Sequence, residues 1–203
     1  MSSFDPARIV PSTRDLHAAL GTRRRSLALV PLVTDASELA RLEDLVASFA
    51  VAAAGPLATA VATATRDVPL LCLAPCRTPL DCQRARYFGA DGVCLAPASA
   101  AEWTALAQAA RSMRMMPLCL ASDPDSAAFA EQLGARALLI RGDADGIAVS
   151  ERIGKQLVLA IDWSARAVAA ADLAQLVSRA DAVIVPQSFH SAENFAELAG
   201  QFG

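Results

Sequence analysis

The sequence predicts an α/β protein, specifically a compact (β/α)8 TIM barrel with short βα loops. Three observations predict it. Eight short apolar runs alternate with helical stretches along the 203 residues, which is the element count of that barrel. The turn Gly89-Ala90-Asp91-Gly92-Val93 is echoed 45 residues later by Gly134-Ala135-Arg136-Ala137-Leu138, and after another 45 by Arg179-Ala180-Asp181-Ala182-Val183. That period holds two strand–helix units, so the chain is built on a repeat. Val68–Ala74 is a continuous apolar run, as in a parallel strand covered on both faces. Barrels of this kind usually run to about 250 residues, so this one needs short loops. An open doubly wound sheet is the rival. It does not require eight units, and no Gly-rich phosphate fingerprint follows the first strand.

Residues 1–25 read as an N-terminal leader and 26–203 as the barrel domain, with no linker or low-complexity segment between them. Within the leader, Asp15–Gly21 (DLHAALG) suits a short helix across the barrel floor. The expected strands are Ser26–Val33, Phe49–Ala54, Val68–Ala74, Gly92–Ala96, Met116–Ala121, Ala137–Arg141, Leu157–Asp162 and Ala182–Pro186. Helix starts fall between them. Thr78-Pro79-Leu80-Asp81 offers an N-cap, a proline at N1 and an acid at N3. Asp35…Glu38 and Ser99…Glu102 resemble capping boxes. Gly55-Pro56 and Asp123-Pro124 again put proline at N1, and Ser191 is placed to cap a last helix, Ala192–Phe202. Gly89 ends the helix that Thr78 begins, because glycine accepts the left-handed cap conformation.

Composition narrows the function classes. The chain is 54% hydrophobic with a mean hydropathy of +0.36, enough for a large core. No apolar run reaches the roughly 18 residues of a membrane helix. The N-terminus lacks the basic-then-apolar order of a signal peptide, and a cytoplasmic location is the expectation. Net charge is −3. Arg23-Arg24-Arg25 is the one basic run, and no basic stripe with interleaved aromatics follows it, which argues against nucleic acid as a partner. Three of the five cysteines (Cys72, Cys94, Cys119) sit inside apolar runs and read as small buried hydrophobes. Cys72 and Cys76 lie about 13 Å apart on extended chain, too far for a shared metal ion or a disulfide. Neither metal nor cofactor is expected.

One stretch carries a family likeness. An apolar strand at Cys72 leads into Pro-Leu-Asp-Cys-Gln-Arg-Ala-Arg (79–86), then Gly-Ala-Asp and a second strand ending at Leu95. The pattern continues through Leu133-Gly134-Ala135 and the closing run Ala180-Asp181-Ala182-Val183-Ile184-Val185-Pro186-Gln187-Ser188. On these residues the chain resembles indole-3-glycerol phosphate synthase, the ring-closing decarboxylase of tryptophan biosynthesis, over about residues 15–200. The resemblance implies a general-acid lysine at the end of the third strand and a glutamate at the end of the fifth. Here the matching positions hold Leu73 and Leu120, and Ala74 follows Leu73. The first strand's Glu-Ile-Lys is replaced around Val30-Pro31-Leu32-Val33. The sixth strand's Asn pair matches Arg141-Gly142, and the seventh strand's Ser-Glu-Ser-Gly matches Asp162-Trp163-Ser164-Ala165. A glycine of the eighth becomes Pro186, which has no N–H to offer a phosphate. The single lysine, Lys155, precedes the seventh strand, on the face that serves stability in this fold.

The first expectation is therefore a lyase-like barrel without the parental reaction, a pseudoenzyme or a repurposed barrel. An alternative is a lyase or isomerase acting on a small phosphorylated metabolite. For that reading Asp162, His190 and Arg141 are the catalytic candidates, with Arg77 adding charge. Ser164 and Ser188 are the phosphate-binding candidates, since such sites follow strands seven and eight. A third reading is an oligomerising partner or scaffold protein, of which exposed Trp103, Phe195 and Phe202 would be the sign. Each candidate also has a plain structural role open to it. Ser188 and Ser191 would cap the last helix, Arg141 and Asp162 would pair across the barrel top, and His190 would be a surface loop residue. His17 reads as structural, and Asp123 and Asp143 as helix caps.

Overall fold

Eight strands form one parallel sheet in the order β1-β8-β7-β6-β5-β4-β3-β2. The computed structural model describes residues 4–21, 25–141, 148–154, 156–191 and 195–202, with Arg141 described by its backbone. The strands are β1 Ala28–Pro31, β2 Phe49–Val51, β3 Leu70–Cys76, β4 Gly92–Leu95, β5 Met116–Ala121, β6 Ala137–Arg141, β7 Val158–Asp162 and β8 Ala182–Val185. The ring closes between β1 and β2 through a parallel bridge, Leu32 to Ala50, where the Val33 N–H donates to the Ala50 carbonyl at 2.8 Å. The barrel is thus nearly continuous, as expected from the strand count.

Alternation along each strand sorts the apolar residues into two layers. Outward-facing side chains such as Leu70, Val93, Ile161 and Val183 pack beneath the helices. Inward-facing ones, among them Val30, Leu71, Cys94, Leu118, Leu139 and Ile184, fill the barrel. The expected floor helix is present as α1, Leu16–Leu20, with the Asp15 carboxylate capping Ala18 N–H. Leu16 and Leu20 belong to the inner layer, so α1 plugs the barrel from its N-terminal end. Gly92 makes that plug possible, because a Cβ there would run into the Leu16 side chain.

The helices between strands begin where the sequence signals them. Thr78 and Asp81 form a reciprocal capping box on Pro79–Tyr87, and Asp123 with Ser126 does the same for Pro124–Gln132. Pro56–Ala64 starts at its proline, and Ser99 caps Ala100–Ser112. After β1 the expected helix is broken: two 3-10 turns flank a single α-turn, Leu39–Leu42. Glu38 is drawn away from its capping role, since Gln187 Nε2 donates to its Oε1 at 2.5 Å. The last helix is described as Phe195–Phe202. Residues 192–194 and Asp143, and with them the expected Ser191 cap and Asp143 cap, lie outside the described residues.

The turns leading into β4, β5 and β6 share one geometry. Gly89, Arg114 and Gly134 have φ of 101°, 56° and 71°, the left-handed region. In each turn that residue's N–H donates three residues back (Arg86, Arg111 and Glu131 carbonyls), and the next N–H donates five back (Ala85, Ala110 and Ala130). This is a Schellman-type helix stop. The 45-residue echo has a second physical content. Asp91 and Asp181 are both buried, and each accepts the N–H of a neighbouring-strand residue, Leu70 at 2.8 Å and Leu159 at 2.9 Å. The carbonyls of Asp91, Arg136 and Asp181 then receive the N–H groups of Met116, Val158 and Ala28. The repeat is thus a hydrogen-bonded stitch at the N-terminal rim.

Candidate functional site

In this fold, chemistry sits at the mouth, the C-terminal ends of the strands. Leu32, Leu73 and Leu120 are partly buried there and pack onto the inner apolar layer. Leu73 lies where β3 slips register against β4, between Cys72 and Pro75. Leucine neither donates a proton nor carries charge, so three positions facing the mouth contribute only apolar surface.

Asp162 ends β7 and is half-buried. Its Oδ1 accepts both the backbone N–H of Ser164 at 3.0 Å and the Ser164 hydroxyl at 2.5 Å. The serine expected to hold phosphate is therefore turned onto a carboxylate, whose charge repels an anion. Arg141 is the register partner of Asp162 across β6 and β7; its side chain, and with it the expected ion pair, lies outside the described residues. Ser188 is exposed on the short helix Gln187–His190 and borders a cavity of about 260 Å³ whose described lining is mostly apolar, including Val168, Phe189 and Leu198.

His190 differs most from its expected surface place. It is fully buried. One ring nitrogen, Nε2, lies 3.0 Å from the Leu32 carbonyl, and the ring meets Phe195 edge-on. Burial lowers its pKa below the ordinary value, against the pull of the Leu32 carbonyl and Glu38 in the other direction. The reason is a contact distant in sequence: the ring exchanges water for the Leu32 carbonyl at the end of β1. Arg41 fastens the same corner by donating to the His190 carbonyl at 2.6 Å. The aromatic residues that would mark a docking surface are also inside, with Trp103, Phe195 and Phe202 all buried.

All five cysteines are free and buried. Burial raises the thiols of Cys72 and Cys119, the latter to about 11. A hydrogen bond with Cys82, and then burial, push Cys76 up. Among the described residues, no three His, Cys, Asp or Glu side chains come together as metal ligands, and no helix is long and apolar enough to cross a membrane.

Charge gathers instead at the floor. Asp91 is reached by Arg14 at 2.6 Å and Arg86 at 2.7 Å, and by the Ser12 hydroxyl at 2.5 Å. Arg14 also donates to the carbonyls of Thr65, Val68 and Gly89, clasping the leader to two turns. Beside this knot opens a cavity of about 440 Å³ between residues 12–17 and the starts of β5 and β6. Neither feature emerges from reading the residues after each strand. The signal available was positional: Arg114 and Arg136 sit in turns that precede strands. Comparison of the chain with family models and with curated proteins finds no match to either.

Proposed function

We propose that this TIM barrel is of the indole-3-glycerol phosphate synthase type but does not carry out ring closure, its mouth having lost the acid–base pair. The reading is supported by one observation above others. Leu32, Leu73 and Leu120 together make an apolar mouth, where the reaction needs a lysine to donate a proton and a glutamate to accept one. The turn of Ser164 onto Asp162 agrees with it, because an anion gains nothing from a hydroxyl that is already donating to a carboxylate. Such a barrel serves as a pseudoenzyme or has been turned to another use. The test is turnover of the carboxyphenylamino deoxyribulose phosphate substrate by the purified chain. No ring-closed product above the uncatalysed rate is expected, and a rate like that of ordinary synthases would overturn the reading.

A second reading, a lyase or isomerase of a small phosphorylated metabolite, draws on Asp162, the half-buried acid at the mouth whose register partner is Arg141. Asp162→Asn is its test: that reading requires the substitution to abolish any turnover found with phosphorylated sugars.

A further inference from the structure

The floor cavity has the size of a small-molecule site, about 440 Å³ against the usual range of roughly 300–1,000 Å³. Its lining joins two chemistries. Leu16, Met115, Met116 and Pro117 give it apolar walls, while Arg111, Arg114 and Arg136 bring cationic side chains. All three arginines are exposed, and none is paired with an acid among the described residues. Arg14 and Asp91 also border the cavity but pair with each other; Asp15 keeps its charge while it caps α1, so three arginines stand against one carboxylate. The uncommitted charge is therefore positive, in a chain whose net charge is −3.

A second observation comes from the backbone. The three matching turns place a left-handed residue at the same position, and two of them use glycine, Gly89 and Gly134. The third uses Arg114 with φ 56°. A residue with a Cβ is disfavoured there by about 1–2 kcal/mol relative to glycine, and strain of this kind gathers at ligand sites. Nothing in the fold of that turn requires a side chain, since its hydrogen bonds are those of its glycine sisters. What the arginine adds is a guanidinium at the cavity.

We propose that the floor cavity between the leader and the starts of β5 and β6 is a binding site for a small phosphate-bearing molecule, held by Arg111, Arg114 and Arg136. Three permanent cations call for more negative charge than one carboxylate carries. A guanidinium fork matches phosphate oxygens in pairs, and the apolar wall suits an organic body beside the phosphate. The site lies at the opposite end of the barrel from the mouth and stands or falls independently of the reading given for the mouth.

The experiment is calorimetric titration of the full chain with inorganic pyrophosphate, with citrate as a carboxylate counterpart of similar charge. One pyrophosphate per chain is expected, with citrate at least tenfold weaker. Arg136→Ala and Arg111→Ala should each weaken pyrophosphate by about tenfold, the loss of a charge-assisted hydrogen bond. Arg114→Gly is the discriminating variant. It restores the residue its sister turns use, so the unliganded melting temperature holds or rises while pyrophosphate affinity falls about tenfold. Arg84→Ala, exposed on the helix Pro79–Tyr87 and outside the lining of the cavity, should leave the affinity unchanged. Absence of pyrophosphate binding, affinity unchanged in Arg114→Gly and Arg136→Ala, or citrate binding as tightly as pyrophosphate would each overturn the assignment.

Discussion

Asp91→Asn removes one charge from the floor without opening a cavity, and its cost follows from the contacts. The carboxylate is 1% exposed. It accepts the Leu70 N–H at 2.8 Å and the Ser12 hydroxyl at 2.5 Å, and pairs with Arg14 and Arg86 at 2.6 and 2.7 Å. Asparagine keeps one oxygen for Leu70 but sets an NH2 group against a guanidinium. Both arginine side chains, 9% and 14% exposed, then lack a counter-charge. Stripping one partner from a buried ion pair costs about 3–5 kcal/mol. Arg14 keeps its carbonyl acceptors at Thr65, Val68 and Gly89, which places the cost at the low end, about 3 kcal/mol. For a domain of this size each kcal/mol moves the melting temperature by about 2–4 °C, so a fall of about 6–12 °C is expected. In urea, with a slope of about 2–3 kcal/mol/M, the midpoint falls by about 1–1.5 M. Asp44→Asn, at an exposed position, is the control and should stay within about 0.5 kcal/mol of the parent. A midpoint for Asp91→Asn within about 0.3 M of the parent would refute the claim that this knot fastens the leader to the barrel.

Three further outcomes follow from the same structure. Leu16→Ala should cost about 2–5 kcal/mol, as for any fully buried leucine, and Gly92→Ala about 1–3 kcal/mol from overpacking. Because the new Cβ meets Leu16 itself, the double variant should be more stable than the sum of the two predicts, read by urea midpoints. His190 is held below its ordinary value of 6.5 by burial, so the unfolded chain binds more protons than the folded one just below that pH. Stability is then full above 6.5 and falls as pH drops towards the folded-state value, by at most about 1.4 kcal/mol per pH unit. Urea midpoints measured between about pH 5.5 and 6.5 should lose that slope in His190→Gln. Finally, with every cysteine buried and Cys119 raised to about 11, no thiol should react with an aromatic disulfide reagent within minutes at pH 8, whereas five should react in urea; one fast native thiol would contradict the packing.

Most of the fold was legible because its signals are local. Apolar runs locate all eight strands, seven to within two residues of their observed bounds and β2, which ends at Val51 rather than Ala54, to within three, and the caps at Thr78 and Asp123 act as their residue types imply. The misses come from contacts distant in sequence. Pro75 looks like the end of a strand, yet β3 runs on to Cys76 because a slip in register lets Pro75 and Cys76 face Cys94 and Leu95. Glu38 looks like half of a capping box, yet it meets Gln187, 149 residues away. His190 looks like a loop residue because nothing near it in sequence shows that the Leu32 carbonyl is waiting, 158 residues away.

The floor cavity was harder to read because this fold places chemistry after its strands, whereas Arg114 and Arg136 precede β5 and β6. Reading after each strand finds Leu73, Leu120 and a serine already bound to Asp162, which is a reason to doubt catalysis but not a description of what the barrel holds. The turns before β4, β5, β6 and β8 hold Asp91, Arg114, Arg136 and Asp181, on one rim of the barrel. Two of these are spent on structure, since Asp91 and Asp181 stitch neighbouring strands through Leu70 and Leu159. The other two carry guanidiniums that the turns do not need. Among the described residues two other than glycine are left-handed, Arg114 and, in the turn before β8, Ser178, and of the two only Arg114 borders the cavity. The leader sharpens the point, because Arg14 is anchored on Asp91 and Leu16 on the barrel interior, which holds residues 12–17 as a fixed wall opposite those arginines. A wall fixed at both ends gives the cavity its shape before any ligand arrives, and preorganisation of that kind lowers the cost of binding.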